Sequence, residues 1–514
     1  MTRMPRTRTE KDSATDPSIS PSSPATSASS SPSPPARLWL VVLVACAGQF
    51  LVVLDVSVVN VALPSMRTSL GLTAPGLQWV VNVYSIAFAG FMLLGGRAAD
   101  LFGRKRMFMV GLSLFTLASV AGGLATEGWQ LLAARAVQGL GAAVLSPSTL
   151  TLVTAAVPAG PARTRAVGTW TAVGAAGGAA GGFVGGVLVE LLSWRWVLLI
   201  NVPIGALVLA GAFWWLGESR AGGGRRLDLP GAVLVTAGLA TLAYGIVQTE
   251  QSGWTSTATL LPLAAGALLL VAFVLVERRA AEPLMPLRIF RTRAVSAANA
   301  TMLLCGSTSF GMWFFMTLYA QNVLGYPPLQ AGLALVPSSA AVIAGSKLAP
   351  RLMPLIGPRT TAVLGALVGA AGFAWQSTMT VDGSYLTTIL GPGILMMFGI
   401  GAASTPLAIL ATTGAPASEA GLASGLINTS RTMGGALGLA TLSTVAASVT
   451  AGATTPEALT AGYAAAFRLA ACVLVGTVVV MVLWLPKQAK ARATEGTEEG
   501  AKEGTKEGSP AGRG

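Results

Sequence analysis

Apolar stretches long enough to cross a lipid bilayer recur between Leu38 and Leu485, and short polar loops separate them. Charged residues make up 10% of the 514-residue chain, whereas a soluble domain has about 25%. The apolar stretches lack the alternating pattern of a membrane-spanning β-barrel. The chain is therefore predicted to be an all-α polytopic membrane protein, and no enzymatic activity is expected.

Apolar windows of about 20 residues predict fourteen membrane helices. Their approximate bounds are 38–63, 77–97, 107–125, 129–157, 166–189, 195–216, 229–249, 258–276, 295–323, 330–350, 360–380, 385–412, 420–449 and 463–485. Because fourteen is even, both termini lie on one side. Of the 33 Lys and Arg residues, 28 fall on that side, Arg67 and Arg195 fall in loops on the other, and three lie within or at the edge of helices: Arg135, Arg431 and Arg468. The positive-inside rule then predicts a multi-pass cell-membrane protein with both termini in the cytoplasm.

Two similar basic turns, at 96–105 and 345–359, follow the second and tenth predicted helices and indicate an internal repeat. Convergent loop chemistry is the alternative explanation. The predicted regions are a disordered cytoplasmic tail in 1–37, a six-helix half in 38–216, two inserted helices with flanking basic cytoplasmic loops in 217–294, a second six-helix half in 295–486, and a disordered cytoplasmic tail in 487–514.

The composition also limits the kinds of functional site that the chain can form. Cys46, Cys305 and Cys472 lie in apolar segments and the chain contains no histidine, so we predict no metal, no cofactor and no catalytic residues. The net charge of +13 follows from membrane topology, so no nucleic-acid partner is expected. The predicted partners are a small molecule, protons and the bilayer. The sequence does not fix the oligomeric state, and we expect a monomer.

Asp55 is the most informative residue, because it lies inside the first predicted helix. A carboxylate there costs several kcal/mol and is by default a functional candidate. Arg135, in the fourth helix, lies at a matching depth of roughly 9 to 12 Å below the outer surface. The two are predicted to couple proton entry to substrate exit through competition for one carboxylate. A purely structural ion pair is the alternative.

Four other residues are candidates to line a substrate cavity. Arg431 lies near the middle of the thirteenth helix, where an anion contact, a gate or snorkelling to polar groups are all open. Tyr84 and Trp170 could stack on a ligand, although Trp also anchors helices at membrane interfaces. Asn60, in the same predicted helix as Asp55, completes the set.

Two small-residue motifs predict moving parts. In the fifth helix, small residues allow close packing and bending, with tight packing alone as the alternative; these are Gly181, Gly182, Gly185 and Gly186. The turn after the second helix is predicted to latch the inner face of the protein, with a solvated loop as the alternative; its residues are Asp100, Gly103, Arg104 and Lys105.

Several of these motifs resemble the major facilitator superfamily, specifically its fourteen-helix drug:proton antiporter branch of the EmrB/QacA type. The resembling segments are 54–64, 96–105, 135–141, 193–196 and 200–205, and the likeness extends over roughly residues 38–486. The resemblance implies two six-helix halves plus two inserted helices. One departure is that Gly182 stands where the branch's fifth-helix motif usually has proline.

The predicted function is proton-driven export of hydrophobic or amphipathic small molecules by alternating access, as drug:proton antiport. The resemblance implies drugs, antibiotics and antiseptics as the substrate class. Two alternatives stay open. The first is a membrane sensor or scaffold that does not transport, and the second is a passive or inward solute carrier. The substrate itself and the proton stoichiometry are beyond the sequence.

Overall fold

The computed structural model describes residues 35–158, 161–219, 227–280, 283–413 and 420–486. All but the last three residues of the predicted N-terminal tail, and the whole C-terminal tail, lie outside the described residues. The basic positions Arg220, Arg225 and Arg226 in the predicted inserted region lie outside them as well.

The described chain folds into helices, and no strand occurs within these ranges. The helices are α1 (Pro35–Leu70), α2 (Ala74–Phe102), α3 (Arg104–Gly123), α4 (Gly128–Ala156), α5 (Pro161–Leu191), α6 (Trp196–Leu199), α7 (Asn201–Trp215), α8 (Leu229–Ser252), α9 (Thr257–Arg279), α10 (Arg293–Asn322), α11 (Pro328–Ala334), α12 (Val336–Ile356), α13 (Pro358–Gln376), α14 (Gly391–Thr413), α15 (Ala420–Thr450) and α16 (Pro456–Trp484). A 3-10 turn at Leu287–Arg291 precedes α10, and a π-helical turn at Leu386–Leu390 precedes α14.

Thirteen membrane-crossing segments in the described chain are long and apolar enough to span a bilayer. The 19-residue helix α13 is the remaining predicted segment, and its first turn carries the polar residues Arg359, Thr360 and Thr361. At 1.5 Å per residue it is about 28 Å long, close to the thickness of the hydrocarbon core. The fold is therefore the all-α polytopic architecture that the sequence predicts.

Local sequence signals set most helix ends. Side-chain oxygens of Thr73, Asp228, Ser256 and Thr455 accept hydrogen bonds from N–H groups in the first turns of α2, α8, α9 and α16. Gly103 and Gly357 separate α2 from α3 and α12 from α13, with φ of 108° and 82°. The two basic turns that suggest a repeat therefore share this left-handed glycine geometry.

Some boundaries differ from the sequence-based ones. The apolar windows predict that the first helix ends near Leu63, but α1 continues to Leu70 and includes Pro64. Proline removes one donor and bends a helix without always ending it. The predicted tenth helix is divided at Leu335 into α11 and α12.

The helices pack into two bundles around a central cavity. In the first bundle, α4 packs against α1, α2 and α3, and α5 and α7 pack against α1. In the second bundle, α10 packs against α15 and α16, and α14 packs against α12 and α13. The bundles meet through α2 with α15 and through α5 with α11. Helices α8 and α9 form a hairpin on the outside, and α8 contacts α2 and α15.

Candidate functional site

Asp55 and Arg135 form an ion pair inside the first bundle. The Arg135 Nη1 donates to Asp55 Oδ2 at 2.6 Å, and the two residues are 1% and 0% exposed. Helices α1 and α4 contribute one residue each. The structure thus brings together the two residues that the sequence predicts for proton coupling.

The second oxygen of the Asp55 carboxylate has partners that the sequence analysis missed. Asp55 Oδ1 accepts from Gln138 Nε2 at 3.0 Å and from Asn201 Nδ2 at 2.8 Å. Both amides also donate to Ser119 Oγ, at 2.7 and 3.3 Å. Three donors therefore satisfy the buried charge, and the network ties together α1, α3, α4 and α7.

Arg135 has two further contacts besides the carboxylate. Its Nε donates to the Val80 carbonyl at 3.2 Å, and Nη1 also donates to Gln138 Oε1 at 2.8 Å. The guanidinium carbon lies 4.3 Å from the centroid of the Tyr84 ring, a cation–π contact. Tyr84 also lines the central cavity, so this residue contacts both the guanidinium and the cavity.

The central cavity has a volume of about 1390 Å³ and lies between the two bundles. All four residues predicted to line it do so: Asn60, Tyr84, Trp170 and Arg431. Trp170 Nε1 donates to Thr149 Oγ1 at 2.9 Å, and Asn60 Nδ2 donates to the Val56 carbonyl at 3.1 Å. Arg431 is exposed to the cavity. Asp55 does not line the cavity in this conformation, so direct competition with a substrate is closed off here.

One end of the cavity, which we call the charged end, carries charged side chains from helix termini and the segment before α10. They are Arg97, Asp100, Glu277, Arg278 and Arg288. Arg97 Nη1 donates to the Pro283 carbonyl across this end.

The opposite end, which we call the closed end, is sealed by contacts between the bundles. An ideal Cβ built on Gly332 would lie 1.9 Å from the Gly182 carbonyl oxygen, so α5 and α11 touch through their backbones. A Cβ on Gly186 would lie 2.6 Å from Leu329 Cα. The Leu329 N–H also donates to Glu190 Oε2 at 3.0 Å.

The four predicted glycines of α5 face two different helices. A Cβ on Gly181 would lie 2.3 Å from Ser57 Cβ, and one on Gly185 would lie 2.9 Å from the Val58 carbonyl oxygen, so both face α1 in the first bundle. Gly182 and Gly186 face α11 in the second bundle. Residues four apart share a helix face, which explains the division.

The predicted latch residues contact the end of the first bundle. Asp100 near the end of α2 pairs with Arg104 at the start of α3, at 3.3 Å, and Lys105 Nζ donates to the Phe213 carbonyl at 2.8 Å. The N–H groups of Lys105 and Arg106 donate to the Glu218 carboxylate, at 3.2 and 3.3 Å. Sequence reasoning missed Glu218, which lies 113 residues from Lys105. Its carboxylate takes the space that a Cβ at Gly103 would need.

The chain is similar to several known transport and resistance proteins. The chain is 49% identical over 432 residues to the cephamycin export protein CmcT of Amycolatopsis lactamdurans, covering 82% of this chain and 87% of the relative. It is 38% identical to the puromycin resistance protein pur8 of Streptomyces alboniger, covering 90% and 94%. The solved nucleoside transporter NupG superposes with a TM-score of 0.63 at 12% identity, covering 87% of this chain and 100% of that chain.

A solved D-xylose-proton symporter gives the same TM-score of 0.63 at 15% identity, covering 88% of this chain and 99% of that chain. At such identities the likeness concerns the fold. The sequence profile described as Major Facilitator Superfamily matches residues 45–439. With this match and two relatives above 30% identity over most of its length, the chain belongs to the major facilitator superfamily of membrane transporters.

Proposed function

We propose that this protein exports hydrophobic or amphipathic small molecules, driven by the proton gradient and by alternating access. The observation that carries the proposal is the fully buried Asp55–Arg135 pair, which contacts Tyr84 at the edge of a cavity of about 1390 Å³. An ion pair without solvent contact is a costly feature in a membrane protein, and a proton-binding role accounts for it.

The relatives support antibiotics and related drugs as the substrate class. They are named as proteins of cephamycin export, puromycin resistance, tetracenomycin C resistance and export, and lincomycin resistance. A cavity lined by Val, Leu, Phe, Met and Trp side chains together with a few polar ones suits compounds of mixed character.

The orientation follows from the positive-inside rule. The charged end would face the cytoplasm together with both termini, and the closed end would face outward. The conformation is then inward-facing, ready to load substrate from the cytoplasm or the inner leaflet of the cell membrane. Residues 38–216 and 295–486 would be the two moving halves, with the α8–α9 hairpin inserted between them in the chain.

The hydrogen-bond network around Asp55 would couple proton binding to the change of conformation. A proton on Asp55 removes the charge that holds Arg135, Gln138 and Asn201 around it, so that α1, α4 and α7 lose their shared contact. Tyr84, stacked on the Arg135 guanidinium, would carry the change to the cavity wall. Deprotonation of Asp55 would restore the hydrogen-bond network, and the cavity would open to the cytoplasm again.

Transport in everted membrane vesicles tests this proposal. We expect a fluorescent amphipathic dye to accumulate against its gradient, a protonophore to abolish accumulation, and Asp55→Asn to do the same. The control is Asp382→Asn, because Asp382 is an exposed carboxylate in the loop before the π-helical turn. Its accumulation should match the wild type.

The two alternative functions give different results in the same vesicles. A sensor or scaffold would bind the dye without accumulating it. A passive or inward carrier would move the dye at a rate indifferent to the pH gradient. Full uphill accumulation by Asp55→Asn would contradict the proposed coupling.

A further inference from the structure

The cavity contains one charged side chain away from its charged end, within the part of the chain that the structure describes. Arg431 lies eleven residues into α15, about 16 Å from the start of that helix at 1.5 Å per residue. This depth places the guanidinium far from the membrane surface, so snorkelling to water at the surface is out of its reach. The only solvent it meets is the cavity itself.

The acidic side chains that line the cavity already have partners. Asp100 pairs with Arg104 at 3.3 Å. Glu277 accepts a hydrogen bond from the Met285 N–H at 3.1 Å. The Arg431 side chain forms no hydrogen bond or ion pair with the described residues. A membrane arginine normally pairs with a carboxylate or backbone carbonyls, so this site lacks a counter-charge that a ligand could supply.

Aromatic side chains of α10 lie close to Arg431. Gly435 lies four residues after Arg431 on the same face of α15, and a Cβ there would lie 2.6 Å from Phe310 Cδ2. The Phe310 ring therefore packs one helical turn from Arg431. Phe310 and Trp313, both on α10, line the same cavity. The site joins a lone cation to an apolar, aromatic surface.

We propose that Arg431 is the anchoring residue for anionic amphipathic substrates, whose carboxylate binds the guanidinium while the apolar body lies against Phe310 and Trp313. A guanidinium can hold a carboxylate through two parallel hydrogen bonds, and the low dielectric of the cavity strengthens the pair. This inference rests on the proposed export function, since it names the substrate class of that same cavity.

Three probes share the pyrene group and differ in charge, so they distinguish the effect of charge from that of size. They are pyrenebutyrate, pyrenebutanol and pyrenebutylamine. Binding to the purified protein is read by energy transfer from tryptophan to pyrene, and transport is read in everted vesicles. We expect the carboxylate to bind about 10- to 100-fold more tightly than the alcohol, which corresponds to about 1.4 to 2.8 kcal/mol. Arg431→Gln should remove this preference, whereas Arg431→Lys should keep most of it.

The matched control is Arg468→Gln, because Arg468 is an exposed arginine in α16 that is not among the cavity-lining residues. Thermal unfolding of each variant checks that it folds. If wild type and Arg431→Gln bind the three probes equally while proton-driven export continues, the anion site is refuted and the export function stands. If wild type exports none of the probes and Asp55→Asn changes nothing, both proposals fail.

Discussion

A single methyl group at Gly332 is expected to open the closed end of the cavity. In this conformation the added Cβ would lie 1.9 Å from the Gly182 carbonyl oxygen, whereas ordinary contact begins at 3.4 Å. Helices α5 and α11 would have to separate by about 1.5 Å, and overpacking of this kind costs about 1 to 3 kcal/mol. The penalty applies only while the helices touch, so the equilibrium should shift by about 5- to 150-fold toward the outward-open state.

Distance measurements between spin labels can follow this shift. Leu191 at the end of α5 and Leu333 on α11 are exposed by 71% and 47%, so labels there disturb little packing. In a cysteine-free background, Gly332→Ala should move the distance distribution toward longer values. Gly168→Ala is the matched control on α5, because a Cβ at Gly168 meets nothing within 4 Å.

A second comparison separates opening from general destabilisation. Gly181→Ala also creates a clash, with Ser57 Cβ at 2.3 Å, but the clash lies inside the first bundle. It should lower the unfolding temperature and leave the label distance unchanged. The reasoning is refuted if folded Gly332→Ala keeps the wild-type distance, or if Gly181→Ala lengthens it equally.

Three further predictions concern the ion-pair network and the end of the first bundle. Glu218→Ala removes the acceptor for two N–H groups at the start of α3, so thermal unfolding should report a loss of about 1 kcal/mol. Asn201→Leu removes one of the three donors to the Asp55 carboxylate, worth about 1.5 kcal/mol, so proton-driven export and the unfolding temperature should both fall; export and stability equal to the wild type would contradict this. Tyr84→Phe should export normally, because the Tyr84 hydroxyl bonds to none of the residues that the structure describes, whereas Tyr84→Leu loses the ring contact with Arg135 and should export less.

The Asp55–Arg135 ion pair could be predicted because each residue is unusual within its own helix. A carboxylate and a guanidinium inside apolar helices are each unfavourable alone, and matching depth makes them partners. Gln138 follows Arg135 by one helical turn, so helical periodicity was a usable signal for it. Asn201 and Ser119 carry no such signal, since a neutral polar side chain in a membrane helix is common and only the packing of α3 and α7 brings these two to Asp55.

Conformation was also beyond the sequence. Fourteen apolar segments predict a bundle whichever end is open, because both states bury similar surfaces and differ by only a few kcal/mol. The glycines of α5 were predicted as one flexible motif, yet they divide by face into two contacts with different partners. Only the position of α11, far along the chain, distinguishes the pair that seals the cavity from the pair that packs within the first bundle.

A proline at residue 182, which related fifth-helix motifs usually have, would be partly compensated by a hydrogen bond from α1. A proline there would remove the N–H that donates to the Gly178 carbonyl, a loss that normally costs about 3 kcal/mol in a helix interior. Here the Ser57 hydroxyl already donates to the Gly178 carbonyl at 2.8 Å, so the freed carbonyl would keep a partner. Gly181, lacking a Cβ, also eases the restriction on the residue before proline. A Cβ at residue 182 would also lie 3.0 Å from the Gly332 carbonyl oxygen, so proline tightens the contact with α11 as well. We therefore expect Ser57→Ala to be mild alone but more damaging together with Gly182→Pro in thermal unfolding. Additive effects in this double-mutant cycle would show that the hydroxyl does not replace the lost donor.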